Sequence, residues 1–263
     1  MTVVVTGLAT VSGACDSTPF LRSRKTRKFM GKQDELAVVA AARALQSASL
    51  AAPLGERCGL YATVGYIPFE ESDITQLLEA SLDGDDFSMR RFSTNAFGAL
   101  NPLLTFRVLP NMPAFHVSLN FDIQGPYSVS YPGPAQLYAV LEEAFAALDA
   151  HAVDVALVVA VADQENYLVR HHFSRIDADP ARLTNAAACL VVEREEDAVR
   201  RGAVIRARLT SWAMRCEATP MTDDRHTPFG PASLGFALAG ARGVVTHEVR
   251  ERGLAASSTW EVA

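Results

Sequence analysis

Residues 133–161 read GPAQLYAVLEEAFAALDAHAVDVALVVAV, and this stretch decides the fold. Pro134 suits a first helical turn, where its missing N–H costs nothing. Behind it, Ala135 to Ala150 has helical spacing, with Leu137, Leu141, Ala144, Phe145 and Leu148 on one side. Asp154 then introduces Val155 to Val161, an apolar run without alternation. A strand of that kind is covered on both faces, so a sheet with helices above and below it is expected.

The same reading extends in both directions. Upstream, Val3 to Val5 reads as a short buried strand ending at Gly7. Asp34 to Leu50 has helical period, with Leu36, Val39, Ala40, Arg43 and Ala44 as its stripe, closed by Pro53 and Gly55. Gly59 to Thr63 reads as a strand, Asp73 to Leu82 as a short helix, and Asp83-Gly84-Asp85 as a turn. His116 to Phe121 alternates and reads as a strand, and Tyr127 to Tyr131 as another after the Gly125-Pro126 turn. Downstream, Ala187 to Val192 is a strand, Glu193 to Arg201 a helix-compatible run closed by Gly202, and Val204 to Trp212 a strand with one polar face. Met221 to His226 reads as a polar loop and Ser233 to Val244 as a helix. Val245 to Val249 and Ser258 to Val262 read as strands paired through the Gly253 region. The alternation gives an α/β class built in layers.

Composition excludes several functions. The chain has 263 residues, 49% of them hydrophobic, a composition that fits a folded chain rather than a disordered one. Lys plus Arg number 24 against 30 Asp plus Glu, so no nucleic-acid partner is expected. No basic leader precedes the first strand and no apolar run has membrane length, so a soluble, cytoplasmic protein is expected, with no membrane partner. Cys15, Cys58, Cys189 and Cys216 have no metal-binding spacing, and Cys58 and Cys189 read as buried thiols. His171 and His172 are adjacent and diverge on any regular element, so they read as surface or pocket-edge residues rather than metal ligands. Asp163 and Glu165, just past the apolar strand, read as a solvated loop, and Asp223, Asp224 and His226 as exposed linker. With no nucleotide-binding glycine fingerprint, phosphate loop or hydrolase elbow, no cofactor is expected. Arg22, Arg24, Lys25, Arg27 and Lys28 form a basic cluster beside Phe29, either a solvated loop or a docking site for an acidic carrier protein.

Taken in order, several segments resemble the β-ketoacyl synthase group of the thiolase-like superfamily. They are Val3 to Gly7, Asn111 to Ser118 (NMPAFHVS) with Gly125-Pro126, the helix Ala135 to Ala150 with Asp154 and its strand, and Asn185 to Arg194 (NAAACLVVER) with the run to Gly202. The resemblance implies a layered α/β/α/β/α fold, with a complete first half in residues 1–212 and a strongly shortened second half in residues 213–263 packed onto it. The family's nucleophile is a cysteine at the start of the buried helix. Counting forward from Gly125-Pro126 and backward from Asp154 puts Pro134 there, and no cysteine occurs between Cys58 and Cys189. The family's His-Gly-Thr-Gly-Thr stretch is missing, and Pro231 stands at the best match to its second histidine.

A member without those residues resembles a chain-length factor, the non-catalytic subunit that pairs with a cysteine-bearing synthase and shapes its acyl tunnel. Such subunits commonly carry glutamine at the nucleophile position; Gln136 lies two residues later, so the closer resemblance is to partners in highly reducing type II polyketide or aryl polyene systems. That implies a heterodimer with a β-ketoacyl synthase subunit and, through it, an acyl carrier protein. It also implies that His116 to Phe121 is the strand that pairs across the dimer. The interface or tunnel would draw on Leu103, Leu104, Phe106, Leu109, Met112, Phe115, His116, Ser118 and Asn120. Two other readings stay open: a homodimeric scaffold binding acyl groups or a carrier protein, and an acyl-thioester enzyme with reassigned residues such as His171, Asp163 or Ser130.

Overall fold

Strand β1 (Val3–Ser12) runs antiparallel to a later strand with a bulge between Val5 and Gly7. The chain then forms a 3-10 turn at Arg24–Phe29 and enters α1 (Lys32–Ser47). The structure is a computed structural model that describes residues 1–175, 180–216, 228–251 and 253–263. The expected loop at Met221 to His226, with Asp223, Asp224 and His226, lies outside the described residues.

After α1 come β2 (Cys58–Val64) and α2 (Glu71–Ser81). A small hairpin follows, β3 (Leu82–Asp83) with β4 (Asp86–Phe87). Short helices α3 (Met89–Arg91), α4 (Phe97–Ala99) and α5 (Leu104–Val108) then lead to α6 (Met112–Phe121). Next are β5 (Tyr127–Ser130), α7 (Gln136–Asp149), β6 (Val155–Ala162), α8 (Tyr167–Arg175), β7 (Ala186–Arg194) and α9 (Glu195–Arg200). The chain ends with β8 (Ala207–Cys216), α10 (Ser233–Ala239), β9 (Gly243–Glu251) and β10 (Leu254–Val262).

The large sheet has eight strands in the order β5-β2-β6-β7-β1-β8-β10-β9. β5, β2 and β6 are parallel, and the remaining pairs are antiparallel. The apolar run after Asp154 is buried on both faces, as its lack of alternation requires. Leu157, Val159 and Val161 join α1 and α6 on one side, and Ala156, Val158 and Ala160 join α7 and α10 on the other. Helix α1 lies flat on the sheet because its stripe is alanine-rich: Ala37, Ala40, Ala41 and Ala44 are fully buried. Gly7 completes that fit, since a Cβ there would come within 2.2 Å of the Ala44 carbonyl oxygen.

One expected element changes type. Residues 116–121 are helical, as the second half of α6, and do not form a strand. Asn111 and Pro113 start the helix, and Met112, His116 and Asn120 then share its buried face at four-residue spacing. The alternation of Val117, Leu119 and Phe121 mimicked a strand only because the window was six residues wide. The strand at the sheet edge is β5 instead, with Tyr127 73% exposed. Asp163 also departs from expectation. It is buried, not in a solvated loop, with Lys32 Nζ 3.9 Å from its Oδ2.

Candidate functional site

The parallel strands β2, β5 and β6 end together, and α7 starts from that end. Its first turn is built by Gly133, Pro134 and Ala135, whose carbonyls accept from the N–H groups of Gln136, Leu137 and Tyr138. Pro134 fits because the amide it lacks would have had no helical partner. Gly133 has a φ of +118° and lies against Glu251 at the end of β9. The buried Ala135 N–H donates to Glu251 Oε2 at 3.0 Å.

Gly230, Pro231 and Ala232 form a buried 3-10 turn ahead of α10. Pro134 and Pro231, nearly a hundred residues apart, line one cavity of about 40 Å3 with Gly65, Gln164, Phe173 and Glu251. His172 lines it too, with its ring 6.3 Å from that of Tyr66, while His171 is exposed. No cysteine lines this cavity. Cys58 and Cys189 are buried in strands, where burial pushes both thiols up, Cys58 to about 12. Among the described residues no group of three potential ligands could hold a metal ion. No helix there is long and apolar enough to cross a membrane.

The candidate interface residues divide by direction. Leu104, Met112, His116 and Asn120 point inward and are buried, and Leu103 and Ser118 are half-buried. Phe106, Leu109 and Phe115 are exposed. Leu119, one turn after Phe115 on α6, is exposed as well, as are Tyr127 and Tyr131 at the sheet edge. These last three were missed because edge position and helix rotation are tertiary facts. Glu251 was missed because nothing local marks a glutamate that caps a helix 116 residues away.

The basic cluster is the 3-10 turn before α1, and it is tied to α6. The Arg22 N–H donates to Asn120 Oδ1 at 2.7 Å, and Asn120 Nδ2 donates to the His116 carbonyl at 2.7 Å. The Phe29 ring meets Phe106 edge-on at 5.7 Å, with Lys28 Nζ 4.7 Å above Phe29. Arg27 is engaged by Asp16 at 3.6 Å and Glu35 at 3.5 Å, while Arg22, Arg24, Lys25 and Lys28 are exposed.

Inside α1 and α6, Asp34 and His116 approach to 4.0 Å in a buried setting. Burial raises the Asp34 carboxyl to about 8 and lowers the His116 imidazole to about 4. Between those values both groups are neutral, so their contact carries no ion-pair energy.

Comparison with known proteins matches residues 2–202 to the β-ketoacyl synthase N-terminal domain. No curated protein sequence matches the chain. Among solved structures, one similar chain belongs to the complex AntDE:AntF, a type II polyketide synthase acyl-carrier protein with its ketosynthase bound to the hexaketide. It aligns at 12% identity and TM-score 0.76 over 100% of this chain and 99% of that one. A β-ketoacyl synthase from Burkholderia phymatum STM815 aligns at 13% identity and TM-score 0.77 over 100% and 99%. The ishigamide ketosynthase/chain length factor aligns at 21% identity and TM-score 0.62, over 83% of this chain and 65% of that chain. At these identities the likeness is one of fold: a mixed α/β, thiolase-like architecture.

Proposed function

The chain belongs to the β-ketoacyl synthase family, and on that premise we propose that it is a non-catalytic, chain-length-factor-like partner of a cysteine-bearing synthase subunit. It stabilises that subunit and shapes its acyl tunnel during polyketide or fatty-acid-like elongation. The observation that carries the reading is the meeting of Pro134 and Pro231 in one small cavity at the mouth of α7, with no cysteine in its lining. A proline offers neither a nucleophile to hold an acyl group nor an N–H to polarise a thioester carbonyl.

The partner role draws support from the surface. Phe106, Leu109, Phe115, Leu119, Tyr127 and Tyr131 are large apolar groups left exposed. Among the described residues β5 ends the sheet order, and that edge could take a further strand. Apolar side chains and an unpaired edge together are what a second subunit covers. The pairing strand in this reading is β5, and Phe106, Leu109 and Phe115 reach toward the partner's tunnel. The exposed Arg22, Arg24, Lys25 and Lys28, held beside α6, would steer an acidic carrier protein to the same side of the complex.

The test is co-expression with a cysteine-bearing β-ketoacyl synthase from the same organism, followed by product analysis. A one-to-one complex, with product length changing when Phe106, Leu109 or Phe115 is altered in size, is expected. Condensation by this chain alone overturns the reading.

A further inference from the structure

We propose that Ser233 is an acyl acceptor: a hydroxyl nucleophile, with His247 as its base, that takes an apolar acyl group from a thioester. The two side chains come together from α10 and β9, with Ser233 Oγ 2.9 Å from His247 Nε2. A serine hydroxyl is a weak nucleophile alone and gains reactivity from a hydrogen-bonded base. The other ring nitrogen, Nδ1, lies 2.9 Å from the Tyr138 hydroxyl, and the two rings stack at 16°. Tyr138 gives its one proton to the His247 carbonyl at 3.0 Å, so Nδ1 is the donor in their contact. With the ring proton on Nδ1, the lone pair of Nε2 faces Ser233. Burial lowers His247 to about 4, which leaves the imidazole neutral and able to accept at neutral pH.

His247 is buried, while Ser233 is half-buried and reached by solvent. Phe229 and Phe236 flank Ser233 in the chain and stack on each other with centroids 4.0 Å apart, both half-buried. The paired rings form an apolar platform beside the hydroxyl, which suits a hydrocarbon chain. Neither Ser233 nor His247 lines the cavity of Pro134 and Pro231, so the pair is separate from the position of the family's cysteine. In the reaction, Ser233 Oγ bonds to the acyl carbon and the carbon–sulfur bond of the thioester breaks. The serine proton passes to His247 Nε2 and on to the leaving thiolate. Water entering by the same route then releases the acid and restores the hydroxyl. No carbon–carbon bond forms, so this activity goes beyond the partner reading without touching it.

The first probe is diisopropyl fluorophosphate, which forms an Oγ–P bond and loses fluoride with the same proton transfer. Full-length protein is incubated with it and labelled peptides are mapped by mass spectrometry. Label should accumulate on the peptide carrying Ser233. In His247→Gln it should accumulate about 100-fold more slowly, the scale of general-base assistance. Should that variant not fold, wild type in denaturing urea takes its place, with the same loss expected because the pair exists only in the fold. The second probe is the hexanoyl thioester of N-acetylcysteamine, which should release its thiol with wild type and not with Ser233→Ala. No label on Ser233, or an equal rate without His247 or without the fold, overturns the proposal. Label on Ser233 without thiol release overturns it as an acyl acceptor. Co-purification with a synthase subunit is a separate measurement, so the partner reading stands or falls on its own.

Discussion

The Tyr138 hydroxyl on α7 lies 2.9 Å from His247 Nδ1 on β9, and their rings stack with centroids 6.0 Å apart. One assignment of donors and acceptors satisfies all of the surrounding contacts at once. Trp260 Nε1 can only donate, and does so to Ser258 Oγ at 2.9 Å. Ser258 then gives its proton to Tyr138 at 2.9 Å, and Tyr138 gives its own to the His247 carbonyl at 3.0 Å. His247 Nδ1 must therefore donate to Tyr138, leaving Nε2 to accept from Ser233 Oγ at 2.9 Å. Tyr138→Phe strips the acceptor shared by His247 and Ser258. It should cost about 1–3 kcal/mol in urea unfolding, with the m-value unchanged.

Stability should peak near pH 6.5. Burial lowers His116 and His247 to about 4 from the usual 6.5. The unfolded chain therefore binds more protons than the folded one between those values, and stability falls with acid. Burial raises Asp34 to about 8 from 3.8, so here the folded chain holds the extra proton and stability falls with alkali. Each group contributes about 1.4 kcal/mol per pH unit within its window. Two histidines outweigh one aspartate below 6.5, and above it Asp34 acts without them. Asp34→Asn should flatten the fall between pH 6.5 and 8 and steepen the acid limb between about pH 4 and 6.5, where Asp34 no longer opposes the two histidines, as read by denaturant midpoints across pH.

Arg201 holds a buried acid. Its guanidinium donates to both oxygens of Glu193, at 2.6 and 2.8 Å, and to the Ala48 carbonyl at 3.0 Å. Arg201→Met removes the guanidinium from the buried Glu193 on β7 and leaves the Thr6 hydroxyl donating to it, which should cost about 3–5 kcal/mol. Arg201→Lys should recover only part of that, since an ammonium cannot pair with both oxygens at once. Chemical denaturation of the two variants checks the ranking.

A cysteine introduced by Pro134→Cys should not make the chain a condensing enzyme, because Pro231 still occupies the facing wall. Its thiol should alkylate slowly, since the Glu251 carboxylate in the same cavity disfavours the thiolate. Adding Glu251→Gln should speed iodoacetamide labelling of that site, followed by mass spectrometry of its peptide. Equal rates with and without the second change would count against the electrostatic account.

Phe115→Asp with Leu119→Asp puts two charges on the outer face of α6, where the native side chains are 48% and 37% exposed. Co-purification with a synthase subunit should be lost. The thermal midpoint of the free chain should change little, because neither side chain is in the core.

Much of the fold was legible in the chain because its decisive signals are local. The apolar run 155–161, the helical stripe behind Pro134 and the alanine-rich stripe in α1 each follow from side-chain periodicity, and the structure builds elements on all three. The type of residues 116–121 was misread because a short alternating window suits strand and helix alike. Only the Asn111 and Pro113 start, together with the inward set of Met112, His116 and Asn120, separates them.

Sequence also established that a proline stands two residues ahead of the central helix and that no cysteine occurs between Cys58 and Cys189, matters of covalent chemistry that no folding can alter. The meeting of Pro134 with Pro231, the capping of Ala135 by Glu251 and the exposure of Tyr127 at an open edge were decided by tertiary structure. Each depends on which strands neighbour one another, and strand order is set by long-range packing that local periodicity does not encode.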